Sequence, residues 1–204
     1  MNTLLPELFE ALQIKTVFDC GCGNWATMSK VDFKDIEYIG ADIDEQILDT
    51  VIETYSATNI HFQKTDILKD PPQQADLWIC RDFLGLYNFQ KIEVVFLKFL
   101  ESNTKFIALT SIDEKENING TVGTLRPINL TKSPFFLKHP LHTIPDGKQW
   151  FCKKTLMIYS RQQIEAWIDT EPFKGKQQEP EEKSNEFRGK NIPLRLRSMQ
   201  EHRT

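Results

Sequence analysis

Apolar runs of six to eight residues alternate along this chain with segments whose apolar positions recur every three or four residues. "TVFDCG" (16–21), "YIGADI" (38–43), "IHFQKTDI" (60–67), "ADLWICR" (75–81), "KFIALTSI" (105–112) and "KKTLMIYS" (153–160) read as strands. Between them, "DEQILDTVIETYS" places Ile47, Val51 and Tyr55 along one helical face. "FQKIEVVFLKFLES" does the same with Ile92, Val95, Phe96, Phe99 and Leu100. "MNTLLPELFEALQI" reads as a short amphipathic helix, and "RQQIEAWI" (161–168) as another. Strands alternating with helices predict a parallel sheet with helices packed on it.

Two stretches break the alternation. Residues 113–150 hold four prolines and two histidines with little periodicity. They read as a long irregular lid or binding loop, with Phe135 and Phe136 as its apolar cover. From Thr170 onward the chain is charged and poor in aromatics, which predicts a tail unable to bury enough surface to fold alone. The expected division is therefore a domain over 1–169 and a flexible tail over 170–204.

Composition narrows the partners. Hydrophobic residues make up 40%, charged residues 26%, and the formal net charge is -4, the balance of an ordinary globular domain. Nothing in it favours nucleic acid or an anionic membrane surface. The start lacks a basic leader before an apolar core, and no apolar run is long enough to span a bilayer, so a cytoplasmic protein is expected. Cys20, Cys22, Cys80 and Cys152 form no CxxC pair and have no histidine-rich neighbour, which argues against a metal site and against disulfides.

The first strand candidate carries the chemistry. Asp19 precedes Gly21 and Gly23, and Ala26 follows, so the stretch matches G-x-G-x-x-G/A with Asp42 further on to hold a ribose. A dinucleotide could use such a turn, although the pattern alone is weak. Asp19 changes the balance, because a carboxylate beside the turn repels a pyrophosphate. S-adenosylmethionine has no phosphate and carries a cationic amino group that an acid here can accept. The turn favours the sulfonium cofactor.

"FDCGCG", "YIGADID", "TDIL" and "LWICRDFL" together resemble the class I S-adenosylmethionine-dependent methyltransferases. The resemblance covers roughly residues 16–168. It extends to a group of small bacterial enzymes with a C-R-D segment after strand four and a downstream R-P-x-N-L segment, here Cys80-Arg81-Asp82 and Arg126-Pro127-Ile128-Asn129-Leu130. It implies an α/β Rossmann-like fold with a mostly parallel seven-stranded sheet, one antiparallel strand near "KKTLMIYS", and helices on both faces.

The same resemblance implies residue roles. Asp19, Gly21 and Gly23 would line the methionine end of the cofactor, Asp42 would hold the ribose, Asp66 with Ile67 would meet the adenine, and Ile43 would also contact the cofactor. Cys80 and Arg81 would border the methyl group. Asp82, Arg81 and His139 are the expected catalytic residues, and Arg126 and Asn129 would hold the acceptor. A helix N-cap is the alternative for Asp42, though Asp44 suits that place better. A cap or turn role is the alternative for Asp66, and an internal ion pair for Arg126.

The pattern departs from the subgroup at Asn24 and Trp25, where a third glycine is usual, and at Leu86, where relatives carry histidine. The function implied is methylation of a small molecule or saccharide at oxygen. A catalytically inactive binding or regulatory subunit and a nucleotide-dependent oxidoreductase are the competing classes.

Overall fold

The computed structural model describes residues 1–170 and 172. The six expected strands form, and a seventh joins them. They are β1 (Thr16–Cys20), β2 (Glu37–Asp42), β3 (Ile60–Lys64), β4 (Leu77–Cys80), β5 (Phe106–Ile112), β6 (His142–Gln149) and β7 (Cys152–Ser160). Their order in one sheet is β3-β2-β1-β4-β5-β7-β6. The first five run parallel. β7 is antiparallel to β5, and β6 is antiparallel to β7, so β7 alone is reversed. The expected sheet, including its reversed strand, is the one observed.

Among the described residues, four helices cover the two faces: α1 (Leu4–Ala11), α2 (Glu45–Tyr55), α3 (Phe89–Glu101) and α4 (Arg161–Ile168). Three of them start at a side-chain cap. Asp44 caps α2 by accepting from the amides of Gln46 and Ile47, and Asn88 caps α3 through the Lys91 amide. Ser160 and Gln163 form a reciprocal capping box on α4. Phe96, Phe99, Ile164 and Trp167 pack α3 and α4 against Phe18, Trp78 and Tyr159 on one face. Leu5, Leu8, Leu48 and Val51 pack α1 and α2 against Val17, Ile79 and Ile158 on the other. Both faces of the central strands are buried, which is why β4 reads as the unbroken apolar run Leu77-Trp78-Ile79-Cys80.

The segment 113–150 differs from its expectation. Its final stretch is the edge strand β6, which turns into β7 through Trp150 and Phe151, both with positive φ (47° and 66°). Asn-Gly usually marks such a two-residue turn, and here two aromatic residues make it. Pro145 and Gly147 also interrupt β6, where the pairing register shifts between Pro145 and Lys148. The middle of the segment crosses one face of the sheet: Ile128, Leu130, Phe135 and Leu137 are core residues. Phe135 is therefore not a lid. It is 1% exposed and packs edge-on against Phe89. The expected tail lies outside the described residues, apart from Thr170 and Pro172.

Candidate active site

A cleft of about 200 Å³ opens at the carboxyl edge of the sheet, where strand order reverses between β1 and β4. In open α/β sheets this is where ligands bind. The chain leaving β1 makes its floor. Gly21 and Gly23 have φ of 73° and 55°, conformations that cost a side-chain-bearing residue energy. The two glycines answer different needs. A Cβ on Gly21 would fall 2.4 Å from Cδ2 of Phe83, whereas one on Gly23 would meet nothing within 4 Å. Gly21 makes room for a ring of the protein, and Gly23 leaves open space.

Asp42, at the end of β2, fixes this turn. Its Oδ2 accepts from the Gly23 amide at 3.0 Å and its Oδ1 from the Asp44 amide at 3.1 Å. The capping role belongs to Asp44, which leaves Asp42 facing the cleft. No α-helix follows the glycine turn. Trp25, with φ 56°, instead packs its ring among Phe33, Tyr38, Tyr55 and Phe62, and only a short 3-10 turn forms at Met28–Lys30. The departure at Asn24 and Trp25 thus replaces a helix by an aromatic anchor.

Ile43, Thr65, Asp66 and Ile67 form the next wall. Ile43 is exposed at the mouth and Ile67 is buried. Asp66 lines the cleft and also organises its own turn, its Oδ1 accepting from the Leu68 amide and its Oδ2 pairing with Lys69. Phe83, Leu86 and Tyr87 close the opposite side and were not anticipated from sequence. Among the described residues, three carboxylates line this cleft, those of Asp42, Asp66 and Asp82, and no lysine, arginine or histidine does. The Tyr87 hydroxyl registers the resulting field: burial, then Asp66 and Asp42, push its pKa up to about 12.

Asp19 lies behind this surface and is not part of the lining. It is 2% exposed and accepts a short hydrogen bond from the Tyr38 hydroxyl. Burial raises its pKa from 3.8 to about 6, against the opposing effects of Tyr38 and Arg81. A carboxyl group whose folded pKa is raised contributes stability that is present below its unfolded pKa and lost as pH rises through the folded value. Asp19→Asn keeps an acceptor for Tyr38 but has no charge to bury. The variant's stability relative to wild type should therefore increase between pH 4 and pH 7, by up to about 3 kcal/mol. Urea denaturation at the two pH values measures it, and an unchanged difference would refute the assignment.

Cys80 and Arg81 do not border the cleft either. Cys80 is fully buried in the core beside Cys20, and successive residues of a strand point to opposite faces. Arg81 is held by Asp146 through Nε at 2.9 Å and Nη2 at 3.3 Å. Lys154, 8% exposed, completes a four-membered network, with Nζ 2.7 Å from Asp82 Oδ2 and 3.2 Å from Asp146 Oδ2. Asp82 is the member that reaches the cleft. It has φ 56°, and its amide donates to Thr110 Oγ1.

Three further expectations are corrected. Arg126 is a brace: Nε donates to the Ile118 carbonyl at 2.8 Å, Nη1 to that of Gly85 at 3.0 Å, and Nη2 to that of Tyr87. Asn129 is 3% exposed and knits the same loop, donating to the Glu114 carbonyl and accepting from Thr131. His139 sits near the opposite edge of the sheet, its carbonyl accepting from Gln163 of α4, and so cannot reach the cleft. The brace and the loop knot spend their polar groups on backbone, which leaves neither residue arranged to hold an acceptor. Among the described residues, no cluster of His, Cys, Asp and Glu could hold a metal ion, and no helix is long and apolar enough to cross a membrane.

No family model matches this sequence, and no curated protein does. Solved structures match by shape. Magnesium protoporphyrin IX methyltransferase from Synechocystis PCC 6803, solved with bound S-adenosylhomocysteine, is 16% identical, covers 78% of this chain and 81% of its own, and gives a TM-score of 0.58. A methyltransferase from Methanosarcina mazei is 9% identical, with 76% and 96% coverage and a TM-score of 0.56. An N-methyltransferase from Bradyrhizobium japonicum is 11% identical, with 78% and 97% coverage and a TM-score of 0.52. At these identities the likeness is one of architecture, and the architecture this chain shares is that of S-adenosylmethionine-dependent methyltransferases.

Proposed function

We propose that this chain is an S-adenosylmethionine-dependent methyltransferase acting on a small molecule or saccharide. The observation that carries this reading is the cleft's lining: among the described residues it holds three aspartates, of which Asp42 is in no ion pair, with no basic side chain and no helix N-terminus at the glycine turn. A dinucleotide's pyrophosphate needs the opposite, amides and a positive helix end. A ligand bearing a sulfonium and an ammonium fits an acidic cleft.

The residues present fit that cofactor. Asp42 would take the ribose hydroxyls, Ile43 and Ile67 would flank the adenine, Asp66 would meet its edge, and Gly21 and Gly23 would lie along the methionine portion. The cofactor supplies an activated methyl group. The chain's own work is to align an acceptor with it and keep water out, which Phe83, Leu86 and Tyr87 serve as apolar and aromatic walls. Asp82, which lines both the cleft and the adjoining cavity, would take a proton from the acceptor. Leu86 occupies cleft wall where the subgroup carries histidine, and among the described residues no imidazole lines the cleft.

Calorimetric titration tests the cofactor assignment. S-adenosylhomocysteine should bind with measurable heat and NAD should not. Binding of NAD alone would reverse the assignment.

A further inference from the structure

With the cofactor over β3, β2 and β1, the strand order leaves the same edge of the sheet, above β4, β5, β7 and β6, for the acceptor. Two segments stand there. One is the stretch that leaves β5, and its Gly123 amide donates to the Leu86 carbonyl of the cleft wall. The other is the tip of the β6–β7 hairpin, since β6 runs parallel to β5 and ends at Gln149. Asp146 and Lys154 tie this hairpin to Arg81 and Asp82. Leu125 of the first segment and Gln149 of the second line one small cavity with Asp82, so the two meet beside it.

Both segments turn the usual surface pattern inside out. In the first, polar side chains serve the backbone: Asn117 donates to the carbonyls of Asn129 and Ser133, Asn119 accepts from the Phe89 amide, and Arg126 holds its three carbonyls. The apolar side chains of Ile118, Val122 and Leu125 are exposed instead, Ile118 by 68%. Between 118 and 125 the exposed polar side chains are two threonines, and none is charged. At the hairpin tip Trp150 is half exposed and Phe151 fully so. Gln149 pairs with Cys152, so Trp150 and Phe151 alone make the turn, each in the left-handed region that Asn-Gly adopts at less cost. A fully exposed ring gains the fold nothing, and strain kept beside a ligand cleft points to a use for it.

We infer that the methyl acceptor carries its reacting group on a large apolar body, alkyl or aromatic, which lies against Leu125, Trp150 and Phe151. The inference rests on the methyltransferase reading above and selects an apolar small molecule over a saccharide. The cavity beside Asp82 has about 10 Å³ open, room for one small group. An acceptor that approaches Asp82 from this side keeps its body outside, among the exposed apolar side chains. A saccharide brings several hydroxyls, and each needs a partner once it leaves water. The amides and guanidinium that could supply partners are bonded to backbone.

Other occupants fit less well. A protein or second copy seated here permanently would cover the approach to Asp82, so the occupant is one that leaves with each turnover. An anionic membrane finds no basic field. Lys148 and Lys153 flank the tip, but Asp113 and Glu114 lie beside them, the Asp113 amide donating to the Lys153 carbonyl and Glu114 Oε2 accepting from Cys152.

The test does not require the substrate's identity. Nile red, a neutral apolar dye that brightens out of water, is titrated into the protein alone and with S-adenosylhomocysteine. It should bind saturably, 1-octanol should displace it, and glucose at the same excess should not. Trp150→Asn/Phe151→Gly installs the dipeptide this turn favours. Its melting temperature should equal or exceed that of wild type, while its affinity for the dye falls about tenfold or more. Leu125→Thr, on the opposite bank, should weaken the dye as well, and both variants should bind S-adenosylhomocysteine as wild type does. A bacterial small-molecule extract is then partitioned between water and octanol and offered with methyl-labelled S-adenosylmethionine. Labelled product should come from the octanol fraction, and the double variant should form about tenfold less of it.

Dye binding unchanged in both variants, or product from the aqueous fraction alone, would overturn the inference and leave the methyltransferase reading standing. A clear fall in the double variant's melting temperature would overturn it too, by showing that the two rings hold the hairpin. So would a wild-type dimer in sedimentation, or binding to phosphatidylcholine vesicles, that the double variant loses, because the patch would then belong to a second copy or to a membrane. Failure of the wild type to bind S-adenosylhomocysteine while it still binds the dye would remove the methyltransferase reading, and the inference with it.

Discussion

Asp42→Ala should weaken S-adenosylhomocysteine binding by about 100- to 1000-fold, with the folded state retained. The carboxylate lines the cleft at the end of β2. Each hydrogen bond from a ribose hydroxyl to a charged acceptor contributes roughly 1.5–3 kcal/mol, and alanine offers none. A second loss adds to the first. Asp42 Oδ2 holds the Gly23 amide, so the glycine turn itself loosens when the carboxylate goes. Asp42→Asn separates the two losses, since its amide oxygen can keep the Gly23 contact while the charge is gone; it should bind more weakly than wild type and more tightly than alanine. Calorimetry with each variant measures the order. Equal affinity for wild type and a folded alanine variant would remove Asp42 from the ribose site.

Arg126→Ala should cost about 4 kcal/mol of stability, the sum of charged hydrogen bonds lost and main-chain carbonyls left without their donor. In a domain of this size that lowers the melting temperature by about 10 °C. The side chain joins three carbonyls from two separate stretches, Gly85 and Tyr87 on one side and Ile118 on the other. Its guanidinium also lies 5.9 Å from the centre of the Phe89 ring. Lysine cannot span those three acceptors from a single ammonium, so Arg126→Lys should recover only a small part of the loss. Leu86 and Tyr87 belong to the cleft wall, and weaker cofactor binding should accompany the lower melting temperature. An acceptor-binding role predicts the reverse: a raised KM with unchanged melting.

The elements of this fold were legible because burial imposes a period. Two helices with apolar residues three and four apart, and strands buried on both faces, leave marks that no single substitution erases. β6 left none, since Pro145, Gly147 and the register shift break its alternation and its turn uses Trp150 and Phe151. The carboxylates Asp42 and Asp66 were legible by position, at the ends of successive parallel strands. Cys80 and Arg81 were assigned together to the methyl group, although the two-residue alternation of a strand already sends neighbours to opposite faces. Arg126 was hidden for a different reason. Its partners are backbone carbonyls, which every residue possesses, so nothing in the sequence distinguishes a brace from a ligand-binding arginine. Phe83, Leu86 and Tyr87 lie in an irregular stretch where no period says which way a side chain faces.

The reversal of strand order at the cleft also governs how the chain must assemble. β1 and β2 are near neighbours in sequence, as are β6 and β7, and such pairs close short loops. β1 and β4 pair across a separation of about 60 residues, and the Asp76 carboxylate clasps the amides of Lys15 and Thr16 at their start. Closing that seam carries more loop entropy than closing either neighbouring pair. The cofactor cleft straddles the same seam, with Phe18, Cys20 and Gly21 on one bank and Asp82 and Phe83 on the other. A ligand seated there binds only chains whose halves have already met, so cofactor concentration acts as a latch on this joint of the sheet.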